Sequence, residues 1–205
     1  MSHPWDNVCY VAVIETELAR RLRTPRTDAV TAFKVARAWF LDGRRVDMGE
    51  LATELSISRA TLHRWVGSRD QLLGEILWSL AEATTDKAWP DAVGRGAAGI
   101  ADLVTAFVRM TIDSTPFRDF LRREPERALR LLTTKASVVQ LRTIAKLTGL
   151  VSSEIAAGRL ESPLPPEDLA YLLVRIGESF IYTDVITGDE PDASKAHAAV
   201  TALLS

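Results

Sequence analysis

The sequence predicts an all-α protein, and three observations support this fold class. Apolar residues recur every three or four positions through most of the 205 residues, which is the spacing of amphipathic helices. No segment alternates apolar and polar residues with the β-branched enrichment of a strand. Helix-start and helix-stop residues divide the pattern into segments of helical length. The composition, 47% hydrophobic and 25% charged, is that of a globular chain.

The single cysteine and the N-terminal residues predict a cytoplasmic protein. Cys9 has no second cysteine to pair with, which fits a reducing compartment. The first residues lack the basic start and the long apolar run of a signal peptide. No stretch approaches the roughly 18 consecutive apolar residues of a membrane span. We therefore expect no membrane partner.

The charged residues are unevenly distributed. Residues 1–70 contain 11 Lys and Arg against 9 Asp and Glu, whereas the remainder contains 14 against 18. Between Leu18 and Arg45, eight basic residues are accompanied only by Asp28 and Asp42. A basic N-terminal third on an acidic body favours a polyanionic partner. An ordinary solvated basic face has the same composition, so charge alone leaves both interpretations open.

The first helix is expected to begin near Thr27, directly after Pro25, and to end at Gly43. Residues 6–23 before it have the pattern of a helical extension that ends in a basic run. The sequence therefore predicts one well-defined helix ahead of the most informative part of the chain.

Two short helices follow. A capping box at 47–50 starts a helix that ends near Leu55, and Ser58 caps a second helix over 59–66. Helices of about eight residues do not persist alone in water, so these two must pack on each other, as in a helix-turn-helix. The residues expected on the inner faces are Leu51, Ala52, Leu55, Ile57, Leu62 and Trp65.

A longer helix is expected over 69–89. Gly67 stops the preceding helix because glycine adopts a positive φ readily, and Ser68 with Gln71 forms a second capping box. Pro90 and the glycines after it indicate the end of an N-terminal unit. Beyond them we expect helices over 97–114, 116–133, 136–157, 166–187 and 191–204.

The outer face of the second short helix carries the functional signal. With Leu62 and Trp65 turned inward, Arg59, Thr61 and His63 lie on the outer or flanking faces, beside Arg64. Such side chains are the kind that reach phosphates and base edges. The pattern therefore favours DNA binding over a bundle in which the segment is incidental.

The run MGELATELSISRATLHRWVGSRDQLLGEIL resembles the DNA-binding segment of the tetracycline-repressor-like (TetR) family of bacterial transcriptional regulators. The motif match covers residues 27–75, and within the family the sequence looks most similar to the QsdR-type regulators, associated with lactone-signal degradation and hence with quorum sensing. The resemblance implies an N-terminal extension at 1–26, a three-helix helix-turn-helix DNA-binding domain at 27–75 and a helical ligand-binding and dimerisation domain at 76–205.

The resemblance also implies roles for individual residues. Arg59 and Thr61 would face bases in the major groove, with Ser58 near the phosphates. His63 stands where the family usually has Tyr, and Arg69, in place of a Lys, would meet a phosphate at a helix start. Arg64 adds a charge to the same helix. The DNA-binding residues predicted in this way are Ser58, Arg59, Thr61, His63, Arg64 and Arg69.

Two departures from the family pattern lie close to this helix. Ser56 replaces the Gly often found in the turn, at a cost of about 1 kcal/mol if the position has a positive φ. Trp65 replaces a common His, and this change is expected to make position 65 part of the core.

Two features suggest chemistry that the chain does not support. Residues 94–99 read G-x-G-x-x-G, but a dinucleotide site needs this loop inside a βαβ unit and no strand is predicted here. We read these glycines as a flexible hinge. His3, His63 and His197 are scattered, without metal-ligand spacing. We therefore expect a protein that is not an enzyme and has no cofactor or metal.

The C-terminal half contains apolar residues that serve either as core or as the wall of a ligand pocket. One helix, 166–187, also carries polar residues, among which Arg175 and Glu178 are spaced to pair. Buried, this pair would suit a carbonyl or carboxylate; exposed, it would be a solvent or dimer-interface ion pair. The predicted ligand-binding residues are Leu103, Phe107, Met110, Phe117, Leu121, Tyr171, Arg175, Glu178 and Tyr182, and Val138, Leu141 and Ile144 are further core candidates.

These inferences combine into one expected function. A homodimeric, cytoplasmic repressor would bind palindromic double-stranded operator DNA through the helix at 59–66. A small amphiphilic effector, of lactone or fatty-acyl type, would release it. The alternatives are an activator, a regulator without ligand, or a helical interaction module or enzyme whose helix-turn-helix is incidental.

Overall fold

The computed structural model describes residues 27–205, which form eleven α-helices and contain no strand. The all-α prediction is confirmed. The predicted extension at 1–26 lies outside the described residues. No helix of the described part has the length and apolar character needed to cross a membrane. The helices are α1 Ala29–Leu41, α2 Met48–Glu54, α3 Arg59–Val66, α4 Arg69–Ala92, α5 Gly96–Ile112, α6 Thr115–Arg123, α7 Pro125–Thr133, α8 Val138–Ala156, α9 Pro166–Ile181, α10 Thr183–Ile186 and α11 Ala193–Leu203.

The predicted caps of the N-terminal helices are present. Asp47 accepts hydrogen bonds from the backbone N–H groups of Gly49 and Glu50, at 2.7 and 3.0 Å. Because the Glu50 carboxylate pairs instead with Arg44 at 2.9 Å, the reciprocal half of this capping box does not form. At the start of α4 both halves form, since Ser68 and Gln71 cap each other's backbone N–H.

Helix α4 is the longest element and connects the two halves of the chain. It packs against α1 and α3 near its start and against α5, α7 and α8 further along. The helix continues through Pro90 to Ala92. The domain boundary predicted after residue 75 therefore falls inside one continuous helix.

The C-terminal half is a bundle in which α5, α8 and α9 pack on one another and on α4 or α11. Two predicted helices are broken. The segment 116–133 divides at Glu124, because Pro125 has no N–H to continue the hydrogen-bond ladder of α6. The segment 166–187 ends at Ile181, and the single turn of α10 follows.

The glycines at 94–99 form a fixed turn instead of the flexible hinge expected from sequence. The backbone N–H groups of Gly94 and Gly96 each donate to the carboxylate of Glu154, both at 3.0 Å. Glu154 is fully buried and also accepts from Arg159 at 2.8 and 2.9 Å. A charged group buried in this way is retained only when its lone pairs are satisfied, so the carboxylate ties the α4–α5 turn to the end of α8.

Candidate nucleic-acid interface and internal cavity

Helices α2 and α3 form a compact helix-turn-helix. Leu51, Ala52 and Leu62 are 0–3% exposed, and Leu55 is 9% exposed. Ile57 and Trp65 are partly buried against the same core. The predicted inner face is therefore present, and the packing of these apolar residues stabilises two helices that would not persist alone.

The turn between the two helices contains a residue with an unusual backbone conformation. Ser56 has φ 53° and is the one non-glycine residue with positive φ in the part of the chain that the structure describes. The left-handed region costs a non-glycine residue about 1 kcal/mol or more. The strain anticipated from the replacement of Gly at this position is therefore present.

The start of α3 is fixed by two hydroxyl groups. The Oγ of Ser58 accepts a hydrogen bond from the backbone N–H of Thr61 at 3.0 Å and lies 2.9 Å from the Thr61 Oγ1. Gly67, with φ 71°, ends the helix. Ser58 therefore caps α3 and, together with the Thr61 hydroxyl, fixes the geometry of its first turn.

The outward face of α3 is polar and basic. Arg59, His63 and Arg64 are exposed, and Thr61 is partly exposed. The Arg59 guanidinium lies against Gly49 at the start of α2, in the space that a side chain at position 49 would occupy. The backbone N–H groups of Glu50 and Gly49 keep the Asp47 pKa below its usual value, with a smaller contribution from the Arg59 charge. The Arg59 side chain therefore lies near the start of α2 and remains exposed.

Arg69 departs from the role that the family resemblance implies. Its Nη1 and Nη2 donate to the two carboxylate oxygens of Glu124, each at 2.6 Å, and its Nε donates to the Val46 carbonyl at 2.5 Å. The side chain is only 15% exposed. Since Glu124 already neutralises this guanidinium, we correct the expectation of a free phosphate-binding cation at position 69.

Glu124 is the centre of a charged cluster between the helix-turn-helix and the C-terminal bundle. Besides Arg69 it faces Arg127 at 3.3 Å and Arg45 at 3.7 Å. Hydrogen bonds from Arg69 hold the pKa of Glu124 below its usual range. We call Arg45, Arg69, Glu124 and Arg127 the Glu124 cluster.

Further contacts reinforce this junction. Arg123 donates to the Gly43 carbonyl at 2.6 Å, and the rings of Phe40 and Phe120 meet edge to face at 5.6 Å. Asp70 at the start of α4 pairs with Arg130 on α7. Helices α6 and α7 are therefore attached to α1 and α4 by both apolar and charged contacts.

A cavity of about 130 Å³ lies among α4, α5, α8 and α9, far more than the roughly 10–15 Å³ that one water needs. We call it the central cavity. Of the predicted ligand residues, six line it: Leu103, Phe107, Met110, Phe117, Glu178 and Tyr182. The remaining lining is mostly apolar, as in small-molecule sites generally.

Three predicted ligand residues lie elsewhere. Leu121 is completely buried in the core and does not border the cavity. Tyr171 is 48% exposed on the outer face of α9. Arg175 also does not border the cavity; its Nη1 donates to the Glu178 carboxylate at 2.5 Å. Each of these residues has the helical spacing of its neighbours, but it lies on a side of its helix that does not border the cavity.

Glu178 and Tyr182 are the buried ionisable residues of the cavity wall. Burial raises the pKa of Glu178 to about 7, against the opposing charge of Arg175. Burial likewise raises the pKa of Tyr182 well above its ordinary value. The cavity therefore contains polar atoms that are poorly hydrated and available to a ligand.

Sequence reasoning missed the contributions of α4 and α8 to the cavity. Trp78 and Thr84 on α4 line it, as do Thr143 and Lys146 on α8. The ammonium group of Lys146 pairs with Asp86 of α4 at 2.6 Å. The sequence signal that could have indicated these cavity residues is the presence of polar residues at helical spacing on an otherwise apolar face.

Comparisons with known proteins agree with these features. The family model described as the tetracyclin repressor-like C-terminal domain matches residues 95–205. The solved structure of the R. erythropolis transcriptional repressor QsdR, from the TetR family, is 31% identical, with a TM-score of 0.80 over 86% of this chain and 93% of that chain. No curated protein matches the sequence. The resemblance inferred from the sequence is confirmed, and the chain belongs to the tetracyclin repressor-like (TetR) family of transcriptional regulators.

Proposed function

We propose that this chain is a dimeric repressor that binds a palindromic operator and leaves it when a small amphiphile enters the central cavity. The observation that carries the proposal is the outward face of α3, where Arg59, His63 and Arg64 are exposed although the opposite face is buried. The division into a DNA-binding unit at 27–75 and a ligand-binding and dimerisation unit at 76–205 belongs to this proposal, as does a cytoplasmic location.

DNA contact would come from two groups of polar residues on α3 and its cap, one that reads base edges and one that approaches phosphates. Arg59 and Thr61 lie in the first turn and would read base edges, while Ser58, His63 and Arg64 would approach phosphates. Arginine–phosphate contacts release counterions, so affinity would fall steeply with salt. Two copies of α3 would enter successive major grooves of a palindromic site.

Dimerisation would use the last two long helices, α9 and α11, as a four-helix bundle with their mates. Tyr171 and Leu172 on α9 are 48% and 36% exposed, and large apolar side chains that adjoin on a surface favour an interface. Sedimentation of a Tyr171→Glu, Leu172→Glu variant tests this arrangement. A variant that stays dimeric would rule out α9 as the interface.

The effector would be an amphiphile of the lactone or acyl-chain kind. The central cavity is apolar, with Glu178 and Lys146 as its charged lining residues. To release DNA, such a ligand must bind the DNA-incompetent form of the dimer more tightly. Phe117 of α6 lines the cavity, and α6 ends at the Glu124 cluster, which gives the ligand a physical route to α4.

A gel-shift titration with the DNA upstream of the chain's own gene tests the DNA-binding function. The double variant Arg59→Ala, Arg64→Ala should bind this DNA at least about 30-fold more weakly, since two contacts of about 1–3 kcal/mol each are lost. Arg109→Ala removes an exposed arginine of α5 and should bind normally. Equal binding by all three proteins would refute the assignment of α3.

A further inference from the structure

The central cavity has one carboxyl group among the lining residues that the structure describes, that of Glu178. Its side chain is 10% exposed. Arg175, one turn earlier on α9, compensates its charge from outside the cavity, because Arg175 itself does not border the space. A ligand in the cavity therefore meets the carboxyl group and not the guanidinium.

Both oxygens of Glu178 already accept a hydrogen bond from the protein. Arg175 Nη1 donates to Oε2 at 2.5 Å. The Gln140 amide, oriented so that its nitrogen faces two oxygens, donates to Oε1 at 2.7 Å and to the Leu132 carbonyl at 2.8 Å. Both partners donate to Glu178, which matches an ionised carboxylate because that group only accepts hydrogen bonds. Each carboxylate oxygen retains a further lone pair.

This geometry selects the head group of a ligand. A buried carboxylate gains most from an additional N–H or O–H donor, because hydrogen bonds to a charged acceptor are about twice as strong as neutral ones. A carboxylate head group would bring a second negative charge into a poorly hydrated site. A simple lactone would place acceptor oxygens against acceptor oxygens.

Building on the proposed effector function, we propose that the effector has an apolar body and presents a hydroxyl or amino donor to Glu178. This narrows the amphiphile class. Acyl amides and chains with a hydroxyl group meet the requirement, whereas free fatty acids and simple lactones do not. Lys146 does not reverse this choice, because its ammonium group is paired with Asp86 at 2.6 Å. The backbone of Lys146 is also roughly 9 Å along α8 from that of Gln140, at 1.5 Å per residue.

Four probes with the same number of carbon atoms test the proposal: 1-octanol, octylamine, γ-octalactone and octanoate. Calorimetric titration of the full-length dimer at pH 8, where Glu178 is mostly ionised, gives each affinity. We expect the alcohol and the amine to bind at least about tenfold more tightly than the lactone, the factor carried by one charge-assisted hydrogen bond. Octanoate should bind most weakly.

The Glu178→Gln variant tests the origin of that order. A glutamine amide both donates and accepts, so the advantage of the donor probes over the lactone should shrink to less than about threefold. Thr148→Ala removes a hydroxyl group of the same helix, α8, that does not border the cavity and should leave the order intact. A normal far-ultraviolet circular dichroism spectrum shows that each variant is folded.

The outcomes distinguish this proposal from the one it rests on. Lactone or octanoate binding as tightly as octanol overturns the head-group inference, and release of operator DNA by those probes would leave the effector function standing. If none of the four probes binds or releases DNA, the effector function of the cavity fails and the inference fails with it. An unchanged probe order in Glu178→Gln assigns the selectivity to another group and also overturns the inference.

Discussion

Arg69 and Glu124 form a bidentate ion pair across 55 residues of sequence, with both N···O distances at 2.6 Å. The pair joins the first residue of α4, directly after the helix-turn-helix, to the break between α6 and α7. Its two side chains are 15% and 18% exposed. Since α6 also contributes Phe117 to the central cavity, one short helix contacts both the proposed ligand and the base of the DNA-binding unit.

We predict that Glu124→Gln weakens the coupling between effector and operator more than it weakens operator binding. The amide preserves the shape but cannot compensate the charges of Arg69, Arg45 and Arg127, so the position of α6 would no longer be transmitted to α4. Coupling free energies of about 1–3 kcal/mol are typical of such systems. The ratio of operator dissociation constants with and without effector should fall by about tenfold.

Glu126→Gln provides the matched control for this measurement, because Glu126 is an exposed carboxylate in the first turn of α7. The control should retain the full ratio. If Glu124→Gln retains it as well, coupling does not pass through the Glu124 cluster.

Arg64→Ala should reduce the salt dependence of operator binding. Loss of one phosphate contact lowers the slope of log K against log salt by about 0.9 and weakens binding to specific and unrelated DNA alike. Arg59→Ala should instead relax discrimination among operator sequences. Fluorescence anisotropy at several salt concentrations measures both effects, and equal slopes for wild type and Arg64→Ala would exclude the phosphate contact.

Glu154→Gln should destabilise the protein by about 2–4 kcal/mol at pH 7, because a buried partner of Arg159 and of two backbone N–H groups is weakened. The Arg159 hydrogen bonds lower the Glu154 pKa to about 2. A carboxyl whose folded pKa lies below its unfolded value stabilises the fold above that unfolded value and loses the contribution as the pH falls. The difference between variant and wild type should therefore shrink between about pH 4.5 and pH 2.

Urea unfolding across this pH range measures the difference. Glu161→Gln changes an exposed glutamate and should have almost no effect. A Glu154→Gln variant as stable as Glu161→Gln would show that the carboxylate contributes nothing to the α4–α5 turn.

Glu178→Gln should stabilise the protein at high pH, whereas Glu154→Gln destabilises it. Burial raises the Glu178 pKa from 4.5 to about 7, so the folded state binds more protons than the unfolded state between these values. Stability then falls as the pH rises from about 4.5 through 7, by about 3 kcal/mol at 1.36 kcal/mol per pKa unit. The variant should exceed the wild type in stability at pH 8 and match it near pH 4.5. Equal stabilities at pH 8 would contradict the burial of the charge.

Ser56→Gly should stabilise the helix-turn-helix. Glycine tolerates the observed φ of 53°, so removing the strain should raise the free energy of unfolding by up to about 1 kcal/mol. Ser153→Gly makes the same change inside α8, where glycine should cost about 0.5 kcal/mol because it is a poorer helix former than serine. Thermal denaturation should shift the two variants in opposite directions, and a shared direction would show that the turn is unstrained.

The accuracy of the sequence-based predictions depends on how local each signal is. Ser58 and Gly67 define α3 correctly because a cap and a stop act within three or four residues of themselves. The pairing of Arg69 with Glu124 could not be predicted, since nothing local distinguishes a glutamate at a helix break from one on a surface. Pro125 lies at that break, but the prediction of one continuous helix over 116–133 disregarded it.

The helical phase was a second source of error. On α8 the pattern suggested that Leu141 was core, yet it is 64% exposed, while Val139 and Leu147 are buried. When a helix has apolar residues on more than one side, the helical period fits more than one possible buried face. Only the packing of neighbouring helices decides which of these faces is buried. The same ambiguity misplaced Tyr171 and Leu121 in the ligand site.

Helix α4 has one more consequence, which follows from its length. Its 24 residues extend roughly 36 Å at 1.5 Å per residue, as a single rod from Ser68 beside α3 to the glycine turn. From Thr84 in the cavity wall to Arg69 at its start, α4 extends roughly 23 Å, so a tilt of about 8° at Thr84 would displace Arg69 by about 3 Å. This approaches the roughly 3.4 Å between successive nucleotides along one strand, so a barely visible rearrangement around Thr84 would put the DNA-reading side chains out of register by one base pair.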